Sequence, residues 1–305
     1  MNTKFKFIPL SFHWCAIHPQ PIGVVYFIGG AFFGTFPNFF YRYLLQEVFE
    51  QGYTIVAIPY RFTFDHWSVA INIFKDLEEV RKSLYQEALS LNYTTNIGIY
   101  LESPIAQNSD YVWIGHSLGC KYIQLLEILT ELDSPDLEDL KKSPILRQCG
   151  IQEQAKNIRK SLDGITLADV SLKNQPSIFL APVIAGIQNA IPIPFLAKLL
   201  QSFGLDVRPS VKETKCLISQ SSYFQILDII AFSKDKQASK TVEWFDHIFE
   251  AKKRLKALIV LPDRIHLAPL GYQDGDREVA KTVIYALEKS KNETINGFVS
   301  IEVRS

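Results

Sequence analysis

The chain has 305 residues, and its 32 Lys and Arg balance 32 Asp and Glu, so the formal net charge is zero. Charged residues make up 21% and hydrophobic ones 47%, the balance of an ordinary globular protein. A nucleic-acid binder would show a basic excess, and 21 Phe with 13 Tyr supply too much apolar surface for a disordered chain.

In residues 1–21, Pro9, His13 and His18 interrupt any apolar stretch, unlike a signal peptide. No run of about 18 apolar residues occurs, so no transmembrane segment is expected. The expected location is the cytoplasm, with any membrane contact transient and confined to the surface. From Gly23 onward, short apolar runs alternate with longer amphipathic ones. Val24–Ile28 predicts a strand ending at Gly29-Gly30. Tyr41–Gln51 carries apolar residues at Tyr41, Leu44, Leu45 and Val48, a helix face, which Gly52 ends. Tyr53–Pro59 predicts a second strand and Trp67–Leu91 a long helix. Tyr111–Ile114 predicts a third strand, running into Gly115-His116-Ser117-Leu118-Gly119 and a helix through Leu132. This rhythm predicts an α/β fold, a mostly parallel sheet with helices on both faces and right-handed crossovers.

After Leu132 the rhythm breaks. Residues 133–175 are polar and show no clean strand; Pro176–Val183 resumes the sheet, and residues 185–222 are again irregular. Phe224–Phe232 and Lys256–Leu261 are later strands, Arg277–Leu287 is a closing helix, and Thr294–Val303 is an edge strand or a tail. The expectation is one domain over 1–305, with cap insertions at about 133–175 and 185–222. Cys15, Cys120, Cys149 and Cys216 have no close pair, which predicts free thiols and argues against a redox motif or zinc site.

The motif Gly115-x-Ser117-x-Gly119 lies between a predicted strand and a predicted helix. A strand that turns sharply into a helix strains the serine backbone and leaves no room beside it for side chains. The serine oxygen then stands above the sheet edge at a helix N-terminus, where partial positive charge stabilises an oxyanion.

On this motif and its setting, residues of about 20–290 resemble the α/β-hydrolase superfamily. The resemblance implies a triad in the order Ser, acid, His, with the acid after one late strand and the histidine after the last. Ser117, Asp235 and His266 match that order. Asp228 is the alternative acid, although it falls inside a strand, and Asp263, three residues from His266 in the same loop, has an awkward geometry for a partner. The implied oxyanion donors are the backbone N–H groups of Leu118 and of Ala31 or an immediate neighbour. Expected substrate contacts are Gly30, Phe32, His66, His116, Leu196 and Leu200. The last two lie on a predicted Ile191–Gly204 helix, whose apolar face either packs on the core or walls an acyl chain. The segments Phe27–Gly34, Thr63–His66 and His266–Pro269 resemble one cyanobacterial and plastid branch, which implies no particular substrate.

The implied activity is a serine hydrolase acting on a small-molecule carboxylic ester or thioester with an apolar acyl group, needing no cofactor or metal. The alternative is a non-catalytic binding or scaffold protein that keeps the fold.

Overall fold

The apolar runs become the strands of one sheet. The computed structural model describes residues 4–101, 110–132, 137–162, 172, 175–184, 207–221, 227–251 and 255–299. Among them, the strands are β1 (Ile8–Leu10), β2 (His13–Ala16), β3 (Gly23–Ile28), β4 (Tyr53–Ile58), β5 (Tyr111–His116), β6 (Ser177–Leu180), β7 (Leu227–Phe232) and β8 (Leu255–Leu261). Their order is β1-β2-β4-β3-β5-β6-β7-β8. From β4 to β8 across the sheet all pairings are parallel, while β1 and β2 add antiparallel at one edge. Every residue of β3, β4 and β5 is buried, as in a parallel sheet covered on both faces.

The helices that place the site are α1 (Pro37–Phe40), α2 (Arg42–Glu50), α3 (His66–Ser90) and α4 (Leu118–Leu132). Leu44, Leu45, Val48 and Phe49 form the buried face of α2. Asp65 caps α3 by accepting the N–H of Ser68 at 3.2 Å. Almost all of α4 is buried, and it packs against α3, while α2 packs against the closing helix Arg277–Val299. The result is the expected mostly parallel α/β sheet with covering helices.

Four expectations need correction or completion. The sheet begins earlier than Gly23, because β1 and β2 form a hairpin that includes His13. These strands are too short for their alternation to stand out. Residues 294–299, read as strand or tail, continue the closing helix. Within the first cap stretch, helices Leu137–Lys142, Pro144–Gln148 and Ala155–Ser161 are present; within the second, helix Val211–Gln220. The predicted Ile191–Gly204 helix, with Leu196 and Leu200, lies outside the described residues.

The fourth correction concerns the thiols. Cys149 and Cys216, 67 residues apart, form a disulfide with their Cα atoms 5.6 Å apart. Packing of Pro144–Gln148 against Val211–Gln220 brings the two cysteines together, which chain spacing alone could not reveal. Cys15 and Cys120 are free and buried. Disulfides are uncommon in the cytosol, so the thiols no longer support a cytoplasmic location. Among the described residues, no helix is long and apolar enough to cross a membrane.

Candidate active site

Strand β5 turns directly into α4 at Ser117, whose φ of 55° is left-handed in a residue that has a Cβ. The elbow is held on both sides. The Ser117 N–H donates to the Leu180 carbonyl at 3.0 Å, and the Ser117 carbonyl accepts from Val183 at 3.2 Å. A Cβ on Gly115 would come within 2.9 Å of the Cys120 backbone, and one on Gly119 would overlap the carbonyl oxygen of Ile28. Both glycines of the motif are therefore required by space.

The loops after β7 and β8 are tied to each other. Lys234 N–H donates to the Arg264 carbonyl at 2.9 Å, Asp263 N–H to Ser233 Oγ at 2.8 Å, and Lys234 pairs with Asp263 at 2.8 Å. Arg264 pairs with Asp276 at 2.8 Å. This bracing sets Asp235 beside His266. His266 Nδ1 lies 2.7 Å from Asp235 Oδ2, and His266 Nε2 lies 2.8 Å from Ser117 Oγ. Asp235 Oδ1 accepts from the N–H groups of Gln237 at 2.8 Å and Ala238 at 3.1 Å. All three side chains are buried.

Burial alone would raise the Asp235 carboxyl. The hydrogen bond and charge of His266, with the two backbone N–H groups, outweigh it and hold the carboxyl below its ordinary value. An ionised Asp235 accepts the Nδ1 proton, which leaves Nε2 free to take the Ser117 proton. Asp228, by contrast, is buried in β7 and accepts from Ser290 at 3.3 Å.

The glycine turn after β3 closes over the serine. A Cβ on Gly30 would sit 3.1 Å from Ser117 Cβ, so glycine permits this approach. Gly30 N–H donates to the Tyr41 hydroxyl at 2.7 Å. The N–H groups of Ala31 and Leu118 are not used by the turn and loop hydrogen bonds among the described residues. Leu118 is also the first residue of α4, where the helix leaves its N–H groups free.

Two expected substrate contacts have other surroundings. His116 is buried, with Nδ1 2.8 Å from the Tyr41 hydroxyl and Nε2 2.9 Å from the His266 carbonyl. Burial first, then the charge of His266, hold its pKa down to about 3, so it is neutral. With Nε2 protonated it donates to His266, while Nδ1 accepts from Tyr41. His116 thus links the Tyr41 hydroxyl to the His266 carbonyl. His66, fully buried at the start of α3, stands edge-on to Tyr122 at 5.3 Å and is not in the triad's hydrogen-bond chain. Burial, then Lys121, keep it neutral. Phe32 is exposed beside the turn and stacks on Phe62 at 4.9 Å.

Tyr41 and Tyr60 are site residues that the sequence did not reveal. Tyr60 donates to the Gly29 carbonyl at 3.0 Å, so both tyrosines fix the turn after β3. Tyr41 reads as one more apolar residue of a helix face. The available signal was its hydroxyl, since a buried tyrosine needs a partner. Among the described residues, no cluster of three His, Cys, Asp or Glu side chains could hold a metal ion.

A candidate carboxylesterase from Lactobacillus plantarum superposes with a TM-score of 0.54 at 15% identity, covering 96% of this chain and 100% of that one. The chain has the α/β-hydrolase fold. Esterase B from Lactobacillus rhamnosis shares this α/β-hydrolase fold, with a TM-score of 0.53 at 11% identity over 93% of this chain and 82% of its own. One of two fungal esterases from Rhizomucor miehei gives 0.51 at 11%, over 95% and 84%. The family described as "Protein of unknown function (DUF1350)" matches residues 7–135, the part of the α/β-hydrolase fold that runs from β1 through α4. No curated protein sequence matches.

Proposed function

We propose that the protein is a serine hydrolase cleaving a carboxylic ester or thioester with an apolar acyl group. The observation that carries this reading is the hydrogen-bonded line from Asp235 through His266 to Ser117, at a backbone-strained elbow. Ser117 Oγ attacks the carbonyl carbon while His266 Nε2 takes its proton. The N–H groups of Leu118 and Ala31 hold the oxyanion, and Asp235 stabilises the imidazolium. Collapse breaks the bond to the leaving oxygen or sulfur, which takes the proton from His266 and departs. Water, deprotonated by the same histidine, then frees the acid and restores Ser117. The esterase descriptions of the neighbours name the same chemistry, but at 11–15% identity they support the fold, and the triad geometry supports the activity.

Turnover of p-nitrophenyl esters from acetyl to octanoyl tests the reading. Activity should be present, and kcat/KM should rise by about fourfold per added CH₂, about 0.8 kcal/mol, until the acyl site is full. A wild-type protein inert toward every ester and thioester would instead favour the non-catalytic binding protein. Equal rates on acetyl and octanoyl esters would remove the apolar-acyl preference.

A further inference from the structure

Single exposed apolar residues are ordinary, but several on two segments joined by hydrogen bonds are not. Here Phe32, Phe36, Phe39 and Tyr272 are 47%, 58%, 51% and 46% exposed, with Ile265 and Leu267, the two neighbours of His266, at 57% and 40%. Phe39 packs on Tyr272 at 4.8 Å and on Phe40 at 5.2 Å, and Phe40 packs on Phe33 at 5.1 Å. The aromatic surface thus runs from the oxyanion turn to the loop that carries His266. The backbone joins the same two segments. Gly271 N–H donates to the Phe40 carbonyl at 2.8 Å, and Tyr43 N–H to the Gly271 carbonyl at 3.0 Å.

Two cationic side chains border this surface, Arg42 and Arg61. Residues 24–46 contain no Asp or Glu. The Arg42 guanidinium lies over the rings of Tyr272 at 5.5 Å and Phe5 at 5.0 Å. Exposed Arg61 adjoins Phe62, the stacking partner of Phe32. In the His266 loop, Asp263 and Asp276 are engaged by Lys234 and Arg264, and Asp274 is exposed. Exposed aromatic rings with guanidinium groups at their border match the boundary between acyl chains and phosphate headgroups.

We propose that this aromatic face docks on a phospholipid surface and presents the Ser117 site to acyl esters held there. The naming of the substrate source rests on the serine-hydrolase reading; the docking itself does not.

Flotation with vesicles of phosphatidylcholine and phosphatidylglycerol tests it. Wild type and Ser117→Ala should both float, which separates docking from catalysis. The double variant Phe36→Ser, Phe39→Ser should partition about tenfold or more weaker, having lost two rings that bury in lipid. It should hydrolyse a soluble short-chain ester at the wild-type rate and lose turnover on an ester embedded in vesicles. Phe36→Trp keeps an aromatic ring and covers the case of a misfolded double variant; brominated lipid should quench its emission more than that of the wild type. The proposal is overturned by a wild type that does not float, by Phe36→Trp emission quenched no more than the wild type's, or by a folded double variant that floats undiminished. A wild-type dimer broken by the double variant, with no flotation, would assign the face to a second copy of the chain.

Discussion

Tyr41 and His116 are joined by a 2.8 Å hydrogen bond that ties the turn beside Ser117 to the loop of His266. The Gly30 N–H donates to the Tyr41 oxygen, Tyr41 donates to His116 Nδ1, and His116 Nε2–H donates to the His266 carbonyl. Every donor in this buried relay has one acceptor, and the relay requires a neutral His116.

Tyr41→Phe removes the central hydroxyl and strands two buried polar groups. The expected cost is about 1–3 kcal/mol of stability for each stranded group. The turn also loses its anchor beside the serine, so kcat should fall while KM changes little, as for loss of oxyanion alignment. Chemical denaturation and ester kinetics on the purified variant check this. Unchanged stability with unchanged kcat would show that the relay positions nothing.

Asp235 and Asp228 should separate cleanly. Asp235→Asn keeps the shape but removes the carboxylate that sets the His266 tautomer, so kcat should drop by up to about 10⁴. Asp228→Asn should lower the melting temperature and leave kcat near wild type, because Asp228 contacts Ser290 in the closing helix. Full turnover in Asp235→Asn, with turnover lost in a folded Asp228→Asn, would reverse the assignment.

Acid should weaken the fold through its buried histidines. Burial holds His13 down to about 4 and His116 down to about 3, and places His66 well below its ordinary value. The unfolded chain takes up these protons first, at a histidine pKa of about 6.5. Stability contributed by the neutral rings is therefore complete above about pH 6.5 and is lost as pH falls toward the folded values. The slope is about 1.4 kcal/mol per pH unit for each such histidine at most. The depressed Asp235 acts in the same direction at still lower pH, since its contribution disappears as the folded carboxylate is protonated. Thermal unfolding from pH 7 to pH 4.5 should show a falling midpoint, with a shallower fall in His13→Gln. A midpoint that is flat over that range contradicts this.

Much of the central sheet was legible because its signals are local. Val24–Ile28, Tyr53–Pro59 and Tyr111–Ile114 are dense apolar runs between glycine or polar boundaries, and the observed strands begin or end within a residue or two of them. The elbow was legible for the same reason: two glycines flank one serine, and both prove sterically necessary. The positions of Asp235 and His266 came from their resemblance to a known fold, and the structure sets them in one hydrogen-bonded line. What escaped depends on distant partners. Nothing near Cys149 announces Cys216, and nothing near Tyr41 or His116 announces the other.

The central claim is that Ser117 is the activated nucleophile of the Asp235–His266–Ser117 line. The direct measurement is fluorophosphonate labelling of the wild type and of Ser117→Ala, with the adduct located by peptide mass spectrometry. The wild type should carry one adduct on Ser117, and the alanine variant, with its fold intact, should carry none. Labelling that persists in the folded Ser117→Ala protein, or an adduct on a different residue of the wild type, would contradict the account.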